Sequence, residues 1–319
     1  MDAVKQMTYI AEEGDAGRSV KDILDRKMNV SARMLALLKR REDGITVNGK
    51  RVTVRFVLST GDRLVLSLGE EKTGDNVAPV DTPLDVIFEN EDMIVVNKPP
   101  YMPTHQSHGH TDDTLANALA FRYRDQGAFV FRAVNRLDRN TSGTVLVARN
   151  KYSSGMLCGL MKERKIKKIY YAILDGIPKE DSGVIDTYIR RREQSIIFRC
   201  VCSAEDEGAE RAVTEYRVIG KGKAHSLVRF VPHTGRTHQI RVHSACLGCP
   251  IVGDGLYGKE SSLISRHALH AAEMSIPVDG QEYTSFRAPM PRDMAELVRD
   301  LEIVYEKGDL SDEITLKDI

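Results

Sequence analysis

The sequence predicts an α+β protein of two domains, and three observations predict it. The chain is 319 residues long, where roughly 100 to 200 make a domain. A polar, aperiodic stretch at residues 70–83, with two prolines, reads as a linker. Upstream of it two short helical periodicities precede alternating strands, and downstream short β-branched runs are separated by helical stretches. The expected division is a small α/β module over residues 1–70, an acidic linker over 71–83, a larger α+β domain over 84–305 and an acidic C-terminal tail over 306–319.

In the small module, Val20, Ile23 and Leu24 recur at helical spacing, and Met34, Leu35, Leu37 and Leu38 do so again, with Ser31 placed to cap the second helix. Residues 45–49 and 64–68 alternate apolar and polar side chains; Asn48-Gly49 supplies a hairpin turn and Gly61-Asp62 another. In the larger domain, residues 85–89, 93–96 and 144–148 are expected strands, and residues 114–123 a helix that brings Leu115, Leu119 and Arg122 near one another. Residues 168–176 alternate as a strand with Tyr170 and Ala172 on one face. Thr237 is expected to cap a helix running through Leu247, ended by Gly248 with Pro250 beyond. On that helix His238, Arg241 and Ala245 share a face, while Ile240 and Leu247 turn to the core.

Composition narrows the function. Hydrophobic residues at 41% and charged residues at 29% fit a folded, soluble chain and are too apolar for a disordered one. No run approaches the roughly 18 apolar residues of a membrane span. The first residues lack the apolar core and cleavage site of a secretory signal, and five cysteines do not read as a disulfide framework, so a reducing, cytoplasmic setting is expected. The Cys246–Cys249 and Cys200–Cys202 spacings are read as plain thiols in preference to zinc or redox centres. The formal charge is zero, with 46 Lys and Arg against 46 Asp and Glu, which taken whole argues against a nucleic-acid partner. That zero is a cancellation. Residues 17–69 carry 12 basic and 5 acidic side chains, residues 70–95 carry 1 and 8, and residues 279–319 carry 5 and 11. A further basic run at residues 162–168 is either a solvated helix end or a docking surface.

Four segments hold the candidate chemistry. At residues 95–105 a strand enters a proline-stiffened loop that contains Lys98; His105, His108 and His110 there lack a carboxylate or cysteine at ligand spacing, so no metal is expected. At residues 135–143, Asn-Arg-Leu-Asp-Arg-Asn-Thr-Ser-Gly, an extended backbone would project Arg136 and Asp138 to one side of Leu137. A carboxylate flanked by Arg136 and Arg139 is biased towards its ionised form, as a nucleophile or base requires; the plainer alternative is an Arg–Asp pair at a loop end. Tyr170 in its strand fits either core packing or a working site. The N-terminus of the 237–247 helix, with Arg236 beside it, suits a phosphate. No dinucleotide fingerprint, phosphate-binding lysine loop or zinc-protease motif is present, and with no tryptophan and 6% aromatics there is no aromatic-rich stacking platform.

The basic module, with Ser31, Arg33, Lys39, residues 44–49 (Gly-Ile-Thr-Val-Asn-Gly) and Gly61-Asp62, resembles the small RNA-binding domain named after ribosomal protein S-four. The segments R-L-D-x-x-T-S-G, K-x-Y-x-A and G-R-T-H-Q-I-R-V-H, in that order behind such a module, resemble the pseudouridine synthases of the RluA type. Residues 269–271 and 286–289 match that family's closing segment. The resemblance implies a mixed, largely antiparallel catalytic sheet flanked by helices and loops, and isomerisation of uridine in RNA without a cofactor. It gives Asp138 the catalytic aspartate position, Arg241 the basic partner and Tyr170 the tyrosine that stacks on uracil. Arg136 takes the place of the residue that fills the gap left by a flipped base. Asn135 stands where relatives have histidine, and Arg139, Arg236, Thr237 and His238 are further candidates for RNA contact, as are Arg33, Lys39 and Arg40. The expected partner is structured RNA, large-subunit ribosomal RNA first and transfer RNA as the alternative, bound by a monomer with no membrane association. A catalytically idle RNA-binding or ribosome-assembly factor is the rival from another class.

Overall fold

The computed structural model describes residues 6–28, 30, 32–67, 77–126, 129–193, 195, 197–278 and 282–305. Residues 71–76 of the expected linker, the whole expected tail, Ser31 and the side chain of Arg33 lie outside that range.

The N-terminal module is an antiparallel sheet of β1 (Gln6–Ile10), β2 (Ile45–Val47), β3 (Lys50–Arg51) and β4 (Arg63–Ser67) in the order β1-β4-β2-β3, with α1 (Val20–Arg26) and α2 (Ala32–Arg40). Ser19 and Asp22 form a capping box that starts α1. Val20, Ile23, Leu24, Met34, Leu38 and Leu64 are buried together in a core separate from that of the larger domain. The turn after β2 places Asn48 and Gly49 at φ 50° and 78°, both left-handed, which is what a tight hairpin of right-twisted strands requires. β1 is an addition to the expected elements. Its side chains alternate, with Gln6, Thr8 and Ile10 exposed and Met7 and Tyr9 half-buried against the module's core, and its pairing with β4 supplies the order.

The larger domain contains β5 (Asp85–Glu89), β6 (Met93–Lys98), β7 (Ser142–Ala148), β8 (Lys167–Asp175), β9 (Ser182–Arg191), β10 (Arg199–Cys202), β11 (Glu210–Lys221), β12 (His225–Pro232), β13 (Leu269–Val278), β14 (Glu282–Arg287) and β15 (Val304–Tyr305). They form one sheet ordered β10-β9-β11-β12-β8-β13-β7-β6-β5, with β14 beside β13 and β15 beside β11. Every neighbour is antiparallel except β13 and β7. The helices are α3 (Leu115–Arg122), α4 (Lys151–Lys162), α5 (Gln239–Cys246) and α6 (Arg292–Asp300).

Both faces of the sheet are covered near β6 and β7. Ile94, Val96, Val145 and Val147 join Leu115 and Leu119 of α3 in one cluster, while Val95, Leu146 and Ala148 join Leu157 of α4 in another. Double burial explains why these two strands read as unbroken apolar runs. Thr114 caps α3 as part of a box with Asn117. The order β12-β8-β13-β7 brings three distant segments to one place: the loop before β7, the strand β8 and the helix that follows β12.

Candidate active site

Asp138 lies in the loop that leads into β7. Leu137 is buried between the exposed Arg136 and the half-buried Asp138, as an extended segment requires, and a turn from Asp138 to Thr141 then leaves Arg139 exposed as well. Buried polar side chains pin this loop at successive carbonyls and hydroxyls. The Thr104 hydroxyl donates to the Leu137 carbonyl at 3.0 Å and accepts from the Leu137 N–H at 3.2 Å. Lys98, fully buried at the end of β6, donates to the carbonyls of Pro99 and Met102 at 2.8 Å and of Arg139 at 3.2 Å. Arg266 donates to the Asn140 carbonyl at 3.1 Å and grips Asp293 of α6 at 2.6 and 2.9 Å. His267 meets the Thr141 hydroxyl at 2.8 Å. Burial pushes the Lys98 ammonium down to about 7, with the charge of Arg266 adding to the shift and Asp138 opposing it.

Two basic groups converge on the Asp138 carboxylate. Arg241 of α5 donates from Nη1 to Oδ2 at 3.2 Å, and its remaining edge makes two bonds to the buried Asp254, at 2.7 and 2.8 Å. Burial works against the charge of Arg241, yet Asp254 and Asp138 hold its pKa above the ordinary value. Burial likewise opposes ionisation of Asp254, and Arg241 overcomes it, leaving that carboxyl below its usual range. His238 brings Nε2 within 3.7 Å of the same Oδ2, and burial lowers the pKa of its ring despite the opposing charge of Asp138. Tyr170 projects from β8 into the same space. Burial first and the nearby Asp138 second raise its hydroxyl pKa, so it stays a neutral phenol. Together these groups line a cleft of about 550 Å³, whose rim includes Arg136, Arg139 and Gln106.

The structure therefore brings Asp138, Tyr170, Arg241 and His238 together, and it alters several details of the sequence expectation. Among the described residues, Asp138 pairs with Arg241 and His238, not with the flanking Arg136 and Arg139, whose exposed side chains stand at the cleft mouth. Asn135 is committed to the sheet: its amide donates to the Thr144 carbonyl at 3.2 Å and accepts from the Leu146 N–H at 2.8 Å. Thr237 does not cap α5. The cap position is His238, in a left-handed conformation without a side-chain cap bond, and Gln239 turns back to accept from the Arg236 N–H at 2.9 Å and the Thr234 hydroxyl at 2.7 Å. Arg236 is not free beside the helix start, because it pairs with Glu210 at 2.5 Å. Lys39 and Arg40 are exposed on the last turn of α2 with no ion-pair partner among the described residues. Of the basic run, Lys165 pairs with Glu163 and Lys167 lies over the Tyr283 ring. His110 pairs with Asp113 and His105 packs edge-on against Phe131, so the three loop histidines do not gather as ligands.

Sequence reasoning missed the supporting roles of Lys98, Asp254, Tyr257, Arg266 and His267, which act on Asp138 or its partners across long sequence separations. Lys168 could have been found. It stands two residues before Tyr170, hence on the same face of β8, and it lines the same cleft with no carboxylate partner among the described residues.

Residues 92–245 match the family described as RNA pseudouridylate synthase. The chain is 35% identical over 276 residues to YjbO of Bacillus subtilis, described as an RNA pseudouridine synthase, covering 86% of this chain and 96% of that protein. It is 34% identical over 276 residues to the ribosomal large subunit pseudouridine synthase D of Pseudomonas aeruginosa, covering 81% and 84% of the two. Among solved structures, human RNA pseudouridylate synthase domain containing 1 aligns with a TM-score of 0.56 at 29% identity, covering 69% of this chain and 95% of that one. Fold and relatives together define the class, an isomerase that acts on RNA. The chain belongs to the RNA pseudouridylate synthase family.

Proposed function

We propose that the protein converts specific uridines of structured RNA, most directly large-subunit ribosomal RNA, into pseudouridine at the cleft around Asp138. The observation that carries this is an accessible carboxylate held by a buried arginine beside a buried, neutral tyrosine, on the fold of this family. The choice of ribosomal RNA rests on relatives named for the large ribosomal subunit.

The reaction detaches uracil from the ribose, turns it over and rejoins it through carbon. It consumes nothing, so no cofactor is needed. Asp138 attacks the ribose or removes a ribose proton. The Arg241 guanidinium keeps that carboxylate charged and aimed, since its other edge is fixed on Asp254. Tyr170 offers a flat face to the uracil and a hydroxyl that carries a proton. The target nucleotide must leave its stack to reach Asp138, which costs a few kcal/mol that contacts at the mouth have to offset. The exposure of Arg136 and Arg139 at the cleft mouth supports assigning them those contacts, with Arg136 filling the gap left behind. The N-terminal module serves as an S-four-like RNA-binding domain, its basic edge being the exposed end of α2.

Mapping pseudouridines in total RNA from cells with and without the gene, and with Asp138→Asn in place of the natural residue, tests the proposal. One or more large-subunit ribosomal sites should vanish in both altered strains. Loss confined to transfer RNA would move the target, and an unchanged map would favour an idle RNA-binding factor.

A further inference from the structure

His238 adopts φ 58° and ψ 18°, a left-handed conformation uncommon outside glycine. Such conformations cost free energy and cluster where a side chain must be aimed. Here the turn immediately before α5 swings the imidazole into the cleft, with Nε2 towards Asp138 at 3.7 Å and Nδ1 towards the Tyr257 hydroxyl at 2.9 Å.

The Tyr257 hydroxyl has a second partner, the backbone N–H of Arg199 at the start of β10, at 2.9 Å. A backbone N–H only donates, so the phenol oxygen accepts there. Its own hydrogen then needs an acceptor, and among the described residues the one within reach is Nδ1 of His238. The opposite arrangement, with the proton on Nδ1, would leave the tyrosine hydrogen without a partner in a half-buried site. With the phenol donating to Nδ1, the imidazole proton belongs on Nε2, the nitrogen that faces Asp138.

Tyr257 is itself fixed by the turn that begins at Asp254. Asp254 accepts from the N–H groups of Leu256 and Tyr257 at 3.1 and 3.3 Å while holding Arg241. One short segment thus anchors both basic partners of Asp138, the arginine through its carboxylate and the histidine through the phenol three positions along.

We propose that Tyr257 is a positioning residue that locks His238 as the Nε2–H tautomer and so keeps that N–H turned towards Asp138, 3.7 Å away, and available to a ribose seated against it. This rests on the proposed synthase reaction for its consequence, and on geometry alone for the tautomer. The lowered pKa of the His238 ring, caused first by burial, agrees with a neutral imidazole at physiological pH.

The test combines the ring-nitrogen chemical shifts of His238 in the ¹⁵N-labelled full chain, assigned by comparison with His238→Gln, and steady-state kinetics of Tyr257→Phe on RNA. Phenylalanine keeps the ring contacts with Phe198 and His238 and removes only the hydroxyl. Wild type should show Nδ1 unprotonated and Nε2 protonated. In Tyr257→Phe the tautomers should mix, and kcat should fall about ten-fold with KM unchanged. A proton on Nδ1 in wild type, or a variant that keeps both the tautomer and kcat, overturns the proposal. Failure of the wild type to turn over any RNA would count against the synthase reading, and the nitrogen shifts would still decide the tautomer.

Discussion

At the scale of single residues, the site is a carboxylate surrounded by groups that have little freedom to move. The part legible in sequence is the part that touches the cleft: Asp138, Tyr170, Arg241 and His238 sit in short segments whose spacing follows strand or helix geometry. Lys98, Arg266, His267, Asp254 and Tyr257 were not legible, because each acts through a contact set by the packing of remote strands. Arg266, for instance, reaches the Asn140 carbonyl across 126 positions of sequence. Cations without a carboxylate partner make a residue-level prediction. Replacing Lys39 and Arg40 together, or Lys168 alone, by glutamine should flatten the salt dependence of RNA binding. Each lost phosphate contact removes about 0.7 to 0.9 from the slope of log affinity against log salt. Titrations at several ionic strengths check this, and an unchanged slope would exclude these side chains from the interface.

At the scale of elements, β7 connects the Asp138 loop to the sheet beside β13, its one parallel neighbour among the described residues. The two strands touch where Ser142 and Gly143 oppose His270 and Ala271. Gly143 has φ 114°, and a Cβ there would lie 2.2 Å from the Ala271 carbonyl oxygen. Gly143→Ala should therefore force β13 away from β7 and destabilise the fold by about 3 kcal/mol, with loss of turnover, because Asp138 hangs from the same strand. Chemical denaturation measures the first effect, and a variant as stable as wild type would contradict it. Elements with one sharp signal were readable: α3 carries its own capping box, and the doubly buried β6 and β7 are continuous apolar runs. Residues 177–234 gave no expected elements, yet they form β9 to β12. Those strands interleave charged and apolar residues, and their order comes from long antiparallel pairing that leaves a weak local trace. The start of α5 was misplaced by the same limit. His238 takes the cap position in a left-handed conformation without a side-chain cap bond, and Gln239 ties the first turn of α5 back to Thr234 and Arg236.

At the scale of the whole molecule, buried imidazoles set the response to acid. Burial pushes His243 down to about 4, His267 to about 3 and His270 to about 4. Between the ordinary histidine value of 6.5 and these values, the unfolded chain takes up protons that the folded chain refuses. Their contribution is complete above about pH 7 and is lost as pH falls, at about 2 kcal/mol per histidine by pH 5. Lys98 adds a slope of the same sign above pH 7, since its folded pKa is depressed to about 7 and the unfolded chain still holds that proton. The urea midpoint should thus drop clearly between pH 7.5 and pH 5; a flat profile would mean that these groups are not buried neutral. The zero net charge has a similar molecular explanation, with a basic N-terminal module offset by acidic stretches elsewhere in the chain.

Rejoining uracil to ribose through its fifth carbon expels the hydrogen held there, so RNA tritiated at that position reports the proposed chemistry directly. Wild-type protein should release tritium to water from RNA prepared from cells lacking the gene, and Asp138→Asn, with an unchanged melting temperature, should release none. Release by the folded variant, or none by the wild type, would contradict an aspartate-dependent pseudouridine synthase centred on Asp138.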